Sequence, residues 1–581
     1  MSEKPAFAGE TSWVHLISLK RGSYDQDDLI EAHGRDELGG KAHGLLFIRK
    51  VLAELDPRDF PGIRVDIPPM TVLGASVFDA FIERNDLTKI ALSDQSDTRI
   101  ARAFQRADMP FEVLGDLRRL IQRVKTPLAV RSSGLLEDIT HRPFAGVYAT
   151  KMIPNNQLDP EVRLNKLIEA IKFVWASTYF KTAKDYCRAT CLGIDCEKMA
   201  VVIQEMVGKR HGDRFYPELS GVARSYNYYP VKPARPEDGV VNLALGLGKT
   251  IVDGGKTWTY SPAFPQAPPP FNSVEHLLEE TQTDMWVVNL GEPPEYDPIK
   301  ETEYMRRENL MAAEKDNSLR YLASTYLPQS DRLVIGTGEK GARALTFAPL
   351  LVLNDIPFNR LIRQLLAKCE RALESPVEIE FAMTFDPHYF GFLQVRAMVA
   401  PTGDQFVNPE DFTSPRVLAA SESVLGNGGR EDIQDVVYVR PDRFRLEHTK
   451  QIASELELMN SVLLKSSRPY LLIVFGRLGS FDPWLGIPVS WGQISGAKVI
   501  VEATKENFRV ELSQGSHYFH NIINLGVFYF SMPYSNSHSI DWNWLEQQTV
   551  EHETEFVRHV RLPEKLTVRV DGRTGKGLIL K

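Results

Sequence analysis

Val130-Arg131-Ser132-Ser133-x-x-x-Glu137-Asp138, followed by Phe144-Ala145-Gly146, and a distant pair, Val377-Glu378-Ile379-Glu380-Phe381 and Leu393-Gln394-Val395-Arg396, decide how this chain is read. The first stretch sets a guanidinium and two hydroxyls on a turn after the apolar run Leu128-Ala129-Val130, where a bidentate donor fork can hold a phosphate. The second alternates carboxylate and apolar residues at the strand period. Glu378 and Glu380 therefore share one face, and Val377, Ile379 and Phe381 the other. The run from Gly391 to Arg396 reads as the paired strand, offering Gln394 and Arg396 with the same alternation. Adjacent strands with Glu, Gln and Arg on one face make a platform for a divalent metal and a polyphosphate.

Other segments carry related chemistry. In Leu38-Gly39-Gly40-Lys41-Ala42-His43-Gly44 the glycines let the backbone approach a phosphate and Lys41 supplies a point charge, although Gly-Gly-Lys alone is an ordinary turn. Met199 to Val207 is an apolar run interrupted by Gln204 and Glu205, as in a buried strand reaching a polar edge. Leu245-Gly246-Leu247-Gly248-Lys249 is by itself only a loose glycine turn.

Taken in order, these segments resemble the nucleotide-binding domain of the pyruvate phosphate dikinase and phosphoenolpyruvate synthase family, an ATP-grasp fold. The resemblance runs over about residues 30 to 400 and also includes Ile67-Pro68-Pro69-Met70-Thr71-Val72, Trp175-Ala176-Ser177 and Ser220-Gly221-Val222-Ala223. It implies ATP and Mg2+ as ligands, with Lys41, Arg131, Ser132, Gly246, Gly248 and Lys249 around the phosphates. It implies an adenine hinge at Gln204, Glu205, Met206 and Val207. By the same resemblance Glu380 and Gln394, with Glu378 beside them, hold magnesium, and Arg396 touches the transferring phosphates; Lys41, Arg131 and Arg396 are the expected catalytic groups. The sequence departs from the family pattern at Lys249 and Asn242, where glutamates are usual, and at Ala397, where proline is usual. Reversing a charge beside a triphosphate adds an anion contact and removes a carboxylate.

Composition fits a soluble enzyme of α/β class. The 581 residues suffice for two or more domains, and a net charge of −8 argues against a general nucleic-acid binder. Cys187, Cys191, Cys196 and Cys369 suggest a reducing compartment; the first three are clustered, but no nearby histidine or fourth thiol completes a zinc site. No apolar stretch approaches the ~20 residues of a membrane span, so a cytoplasmic location is expected, with no membrane partner.

The expected organisation is an ATP-grasp first half at 1–212, a second half at 213–403 with a helical insertion at about 275–327, and a separate mixed α/β domain at 404–581. The last domain lacks the Gly-Gly-x-x-(Ser/Thr)-His segment of the dikinases and leaves no room for their pyruvate-binding barrel. Its run Leu471 to Trp491 contains a Gly476-Arg477-Leu478-Gly479-Ser480 turn beside Asp482 and Trp484, and Ser516-His517-Tyr518-Phe519-His520 follows. Arg477, Asp482 and His517 are the candidate contacts for a phosphoryl acceptor, a small molecule or carrier protein. The expected activity is ATP-dependent phosphoryl or pyrophosphoryl transfer; a carboxylate-amine ligase and a non-catalytic nucleotide sensor are the alternatives.

Overall fold

The computed structural model describes residues 14–17, 38–135, 137, 146–190, 194, 197–267, 273–292, 295–398, 407, 409–480, 486–505, 526–534, 540–572 and 574–581. Helices and sheets are interleaved, as an α/β chain requires. The first sheet has the order Val14–Ile17, Met70–Leu73, Met199–Glu205, Leu128–Gly134, Thr150–Ile153. Its central pair is antiparallel, from Leu128 opposite Glu205 to Gly134 opposite Met199. Arg131, Ser132 and Ser133 thus lie in a strand, not on a turn after it: the apolar run of Met199–Glu205 is long enough to pair with the whole motif. Helix Pro160–Ser177 buries Leu164, Leu167, Ile171, Val174 and Trp175, a stripe at the helical period, against this sheet. Asp159 caps it by accepting from the Glu161 amide at 2.9 Å. The helix ends at Ser177, and a second one follows at Lys181–Thr190.

The second sheet runs Trp258–Tyr260, Val240–Ala244, Leu219–Arg224, Val377–Phe385, His388–Ala397, Arg64–Asp66. Helices Gly39–Ala53 and Phe358–Leu373 cover it with buried Leu45, Ile48, Leu361 and Leu365. Because Arg64–Asp66 pairs with His388–Ala397, the chain crosses the division expected at residue 212.

The segment expected to be a helical insertion holds strands as well as helices. Asp284–Asn289 and Met305–Asn309 pair antiparallel and join Arg214–Tyr216 and Lys209–His211 in a four-stranded sheet, leaving only the short helices Val274–Glu280 and Leu310–Lys315. Met285, Val287 and Val288 are buried, and that packing outweighs the helix-forming charged residues around them.

The last part of the chain builds one large sheet. Gly428–Val439, Tyr470–Phe475, Ala497–Ala503 and Phe528–Met532 are parallel neighbours, with antiparallel strands on both sides. Helix Thr449–Lys465 makes the crossover between the first two. Every residue of Tyr470–Phe475 is buried, as a parallel strand covered on both faces demands. Cys187 and Cys369 are buried free thiols, whereas Cys191 and Cys196 lie outside the described residues. No helix among the described residues is long and apolar enough to cross a membrane.

Candidate active site

The amino end of helix Gly39–Ala53 sits directly against the strand that carries Arg131. Gly39 has φ +73°, and a Cβ there would lie 1.8 Å from the Ser133 carbonyl oxygen, so only glycine permits the approach. Ser133 locks the junction: its Oγ donates to the Leu38 carbonyl at 2.7 Å and accepts from the Ala42 amide at 3.1 Å. This brings Lys41 Nζ to 2.9 Å from Ser132 Oγ and 2.6 Å from Glu137 Oε1. Glu137 is buried and also accepts from Ser132 Oγ and the Gly134 amide, so the ammonium is held by a fixed carboxylate. Ser132 is fully buried and acts on the cavity through Lys41. Asp138, Phe144 and Ala145 lie outside the described residues.

Arg131 joins the first sheet to the second. Its Nη1 donates to the Leu393 carbonyl at 2.8 Å and to Gln204 Oε1 at 3.3 Å, and its Nη2 to Gln394 Oε1 at 2.8 Å. A bulge makes this possible: Glu380 faces Gln394 but Phe381 faces Phe392, so Leu393 is left over and its carbonyl accepts from the arginine. Arg396 faces Glu378 across the same strands and donates to Glu380 Oε1 at 2.5 Å. The two carboxylates differ in setting. Glu378 is buried, paired with Arg224 at 2.6 Å and with Arg396 at 3.5 Å, and stands behind the cavity wall; Glu380 lines the cavity.

These groups border a cavity of about 670 Å³. Its apolar end is formed by Met152, Met206, Leu247, Trp286 and Met305. Met206 belongs to the expected adenine hinge; Trp286 and Met305 come from strands in the segment expected to be helical. The Glu205 and Met206 amides donate to the Pro69 and Pro127 carbonyls at 2.9 and 3.0 Å, which fixes the hinge backbone. Gly246, with φ +83°, turns the chain so that the Leu247 amide reaches the Trp286 carbonyl at 2.9 Å. Gly248 and Lys249 line the cavity and Gly246 stands behind them.

Lys249 pairs with Asp253 at 2.9 Å. Burial opposes its charge, but Asp253 and Glu301 offset that and hold the ammonium above its ordinary range. Burial pushes the Glu301 carboxyl up, against the pull of Lys249. The segment bearing Glu301, Thr302 and Met305 is pinned by a buried pair, Lys151 Nζ to Glu303 Oε2 at 2.7 Å, with Lys151 also donating to the Pro298 carbonyl at 2.7 Å. Nothing in the spacing of Met152, Trp286, Glu301 or Met305 marked them beforehand.

Of the three expected acceptor contacts, Arg477 is buried and donates to the Gly254 carbonyl at 3.1 Å, away from the cavity lining. Asp482 and His517 lie outside the described residues. The last part of the chain instead reaches the cavity through Gly479 and the Val489 to Gly492 segment.

The chain is 27% identical over 224 residues to rifampicin phosphotransferase from Streptomyces sviceus, an alignment covering 37% of this chain and 23% of that protein. The chain thus spans about a quarter of the length of the curated relative it matches. Residues 35–407 match the family model described as pyruvate phosphate dikinase, AMP/ATP-binding domain. Across that stretch, which holds Lys41, Arg131, Glu380, Gln394 and Arg396, the chain belongs to the pyruvate phosphate dikinase AMP/ATP-binding family.

Proposed function

We propose that this chain is an ATP-grasp phosphotransferase that moves a phosphoryl or pyrophosphoryl group from Mg-ATP to an acceptor. The observation that carries this reading is the convergence of Lys41, Arg131, Glu380, Gln394 and Arg396, from segments far apart in sequence, on one cavity with an apolar end. The adenine would occupy the slot walled by Met206 and Trp286, against the hinge from Gln204 to Val207, and the phosphates would extend toward Lys41 and Arg131. Lys249 supplies a further cation where the family has a carboxylate.

In the reaction an acceptor hydroxyl oxygen attacks a phosphorus of ATP and its proton passes to solvent. The new P–O bond forms as the bond to the leaving phosphate breaks, and its electron pair departs with ADP or AMP. Arg131 and Lys41 fix the phosphates, and Arg396 stabilises the charge that develops on the transferring group. Glu380 and Gln394 suit Mg2+, being oxygen donors directly opposite each other on adjacent strands and bordering the cavity. Magnesium bound there would neutralise charge on the bridging phosphate oxygens. Glu380 and Gln394 accept hydrogen bonds from Arg396 and Arg131, so metal entry and phosphate binding favour each other: phosphates draw the guanidiniums away from the same oxygens.

Phosphorus NMR of the protein with Mg-ATP and a pool of small metabolites tests the reading. AMP with a new phosphoester signal indicates dikinase-like chemistry and ADP with one indicates a single transfer; an acyl phosphate would redirect the assignment to a ligase.

A further inference from the structure

Among the described residues, the carboxylates that line the cavity are Glu205, Asp253, Glu301 and Glu380. Glu205 belongs to the hinge and accepts from Thr126 Oγ1 at 2.6 Å. Glu380 stands opposite Gln394 and accepts from Arg396 at 2.5 Å. Asp253 and Glu301 remain, and a lysine stands with them. Lys249 Nζ lies 2.9 Å from Asp253 Oδ2, with the two side chains only 17% and 21% exposed. Glu301 is near enough that it and Lys249 shift each other's ionisation. Burial works against the ammonium, yet Asp253 and then Glu301 keep it charged.

We infer that the Lys249 ammonium is a tethered cation standing where a second divalent ion would otherwise sit, so that this chain holds a nucleoside triphosphate with a single magnesium ion, at Glu380 and Gln394; the inference rests on the nucleotide reading above. One or two carboxylates facing a cavity, together with phosphate oxygens, are what a magnesium ion ordinarily requires. Asp253 and Glu301 would meet that requirement, but the space they share holds a fixed positive charge. An ammonium and a magnesium ion on the same carboxylates would repel each other at short range, where partial burial weakens the screening.

The ammonium also takes over part of a metal's work. It carries three N–H donors, and the bond to Asp253 leaves others for phosphate oxygens. Unlike a metal, it is in place before the nucleotide arrives and does not depend on the concentration of a free ion.

Counting metal ions per nucleotide tests the inference. The full chain is dialysed to equilibrium against radiolabelled manganese and a radiolabelled, non-hydrolysable ATP analogue, and the ratio of bound metal to bound nucleotide is read. Wild type is expected to reach a single manganese ion per nucleotide and to stay there as manganese rises. Lys249→Glu, which adds a carboxylate beside Asp253 and Glu301, should take up a second ion. Lys249→Met keeps the length of the side chain and removes the charge. It should bind the analogue about tenfold more weakly at low manganese, the size of one charge-assisted hydrogen bond, and recover as manganese rises. A second manganese ion in wild type would overturn the tethered cation and leave the nucleotide reading standing. So would variants that hold a single ion and bind the analogue as tightly as wild type does. An analogue that wild type does not retain at all would overturn both.

Discussion

Arg131 Nη2 lies 2.8 Å from Gln394 Oε1, and these two residues, 263 positions apart, join the two sheets at the cavity floor. The arginine projects from the middle of its strand, opposite Val202, and the bulge at Leu393 turns a carbonyl toward it. One side chain therefore both spans the sheets and borders the cavity.

Arg131→Ala should lower turnover of ATP by about 10²- to 10³-fold, the loss expected for one charge-stabilising donor. Arg131→Lys should recover little, because a lysine has the charge without the planar fork that reaches Gln204, Leu393 and Gln394 together. Steady-state kinetics of both variants, with circular dichroism to check the fold, measure this.

Glu380→Gln should raise the magnesium concentration needed for half-maximal ATP turnover, since it exchanges a charged oxygen donor for a neutral one. A magnesium titration of the variant reads the shift directly, and an unchanged midpoint would remove Glu380 from the metal set.

Glu378 is expected to behave differently. It is a buried counter-ion of Arg224 and lies 3.5 Å from Arg396, which Glu380 also holds, so Glu378→Gln removes a buried charge partner chiefly from Arg224 and should cost about 3–5 kcal/mol of stability. Urea unfolding measures it; a loss confined to magnesium affinity would make Glu378 a ligand instead.

Stability should fall with pH around neutrality because of Glu502. Burial pushes its carboxyl up to about 7, opposed in part by hydrogen bonds from the Tyr529 hydroxyl and the Leu478 amide and by the Arg477 guanidinium. The ordinary value is 4.5, so between there and about 7 the folded state holds a proton that the unfolded chain has released. The contribution is complete below the lower value and is lost as pH rises through the upper one, by about 3 kcal/mol in total. Urea midpoints measured at about pH 5 and about pH 8 should differ in wild type, and Glu502→Gln should flatten the difference.

The strand period alone sufficed to foresee that Glu378 and Glu380 share a face opposite Arg396 and Gln394, and the observed register pairs them in that way. Three things were not legible. The different settings of the two glutamates depend on Arg224, a residue on a third strand that no local pattern connects to them. The slot formed by Trp286 and Met305 was hidden because charged helix formers surround strands whose pairing is decided by tertiary burial. Arg477 of the Gly476 to Ser480 turn reads as an acceptor contact, yet it faces the Gly254 carbonyl, a partner 223 positions earlier in the chain.

Isothermal titration calorimetry of Mg-ATP into the wild-type chain and into Arg131→Ala tests the central claim most directly. Saturable, magnesium-dependent binding to wild type is expected, and its loss in the variant. Absence of binding to the wild-type chain, or equal binding to both, would contradict it.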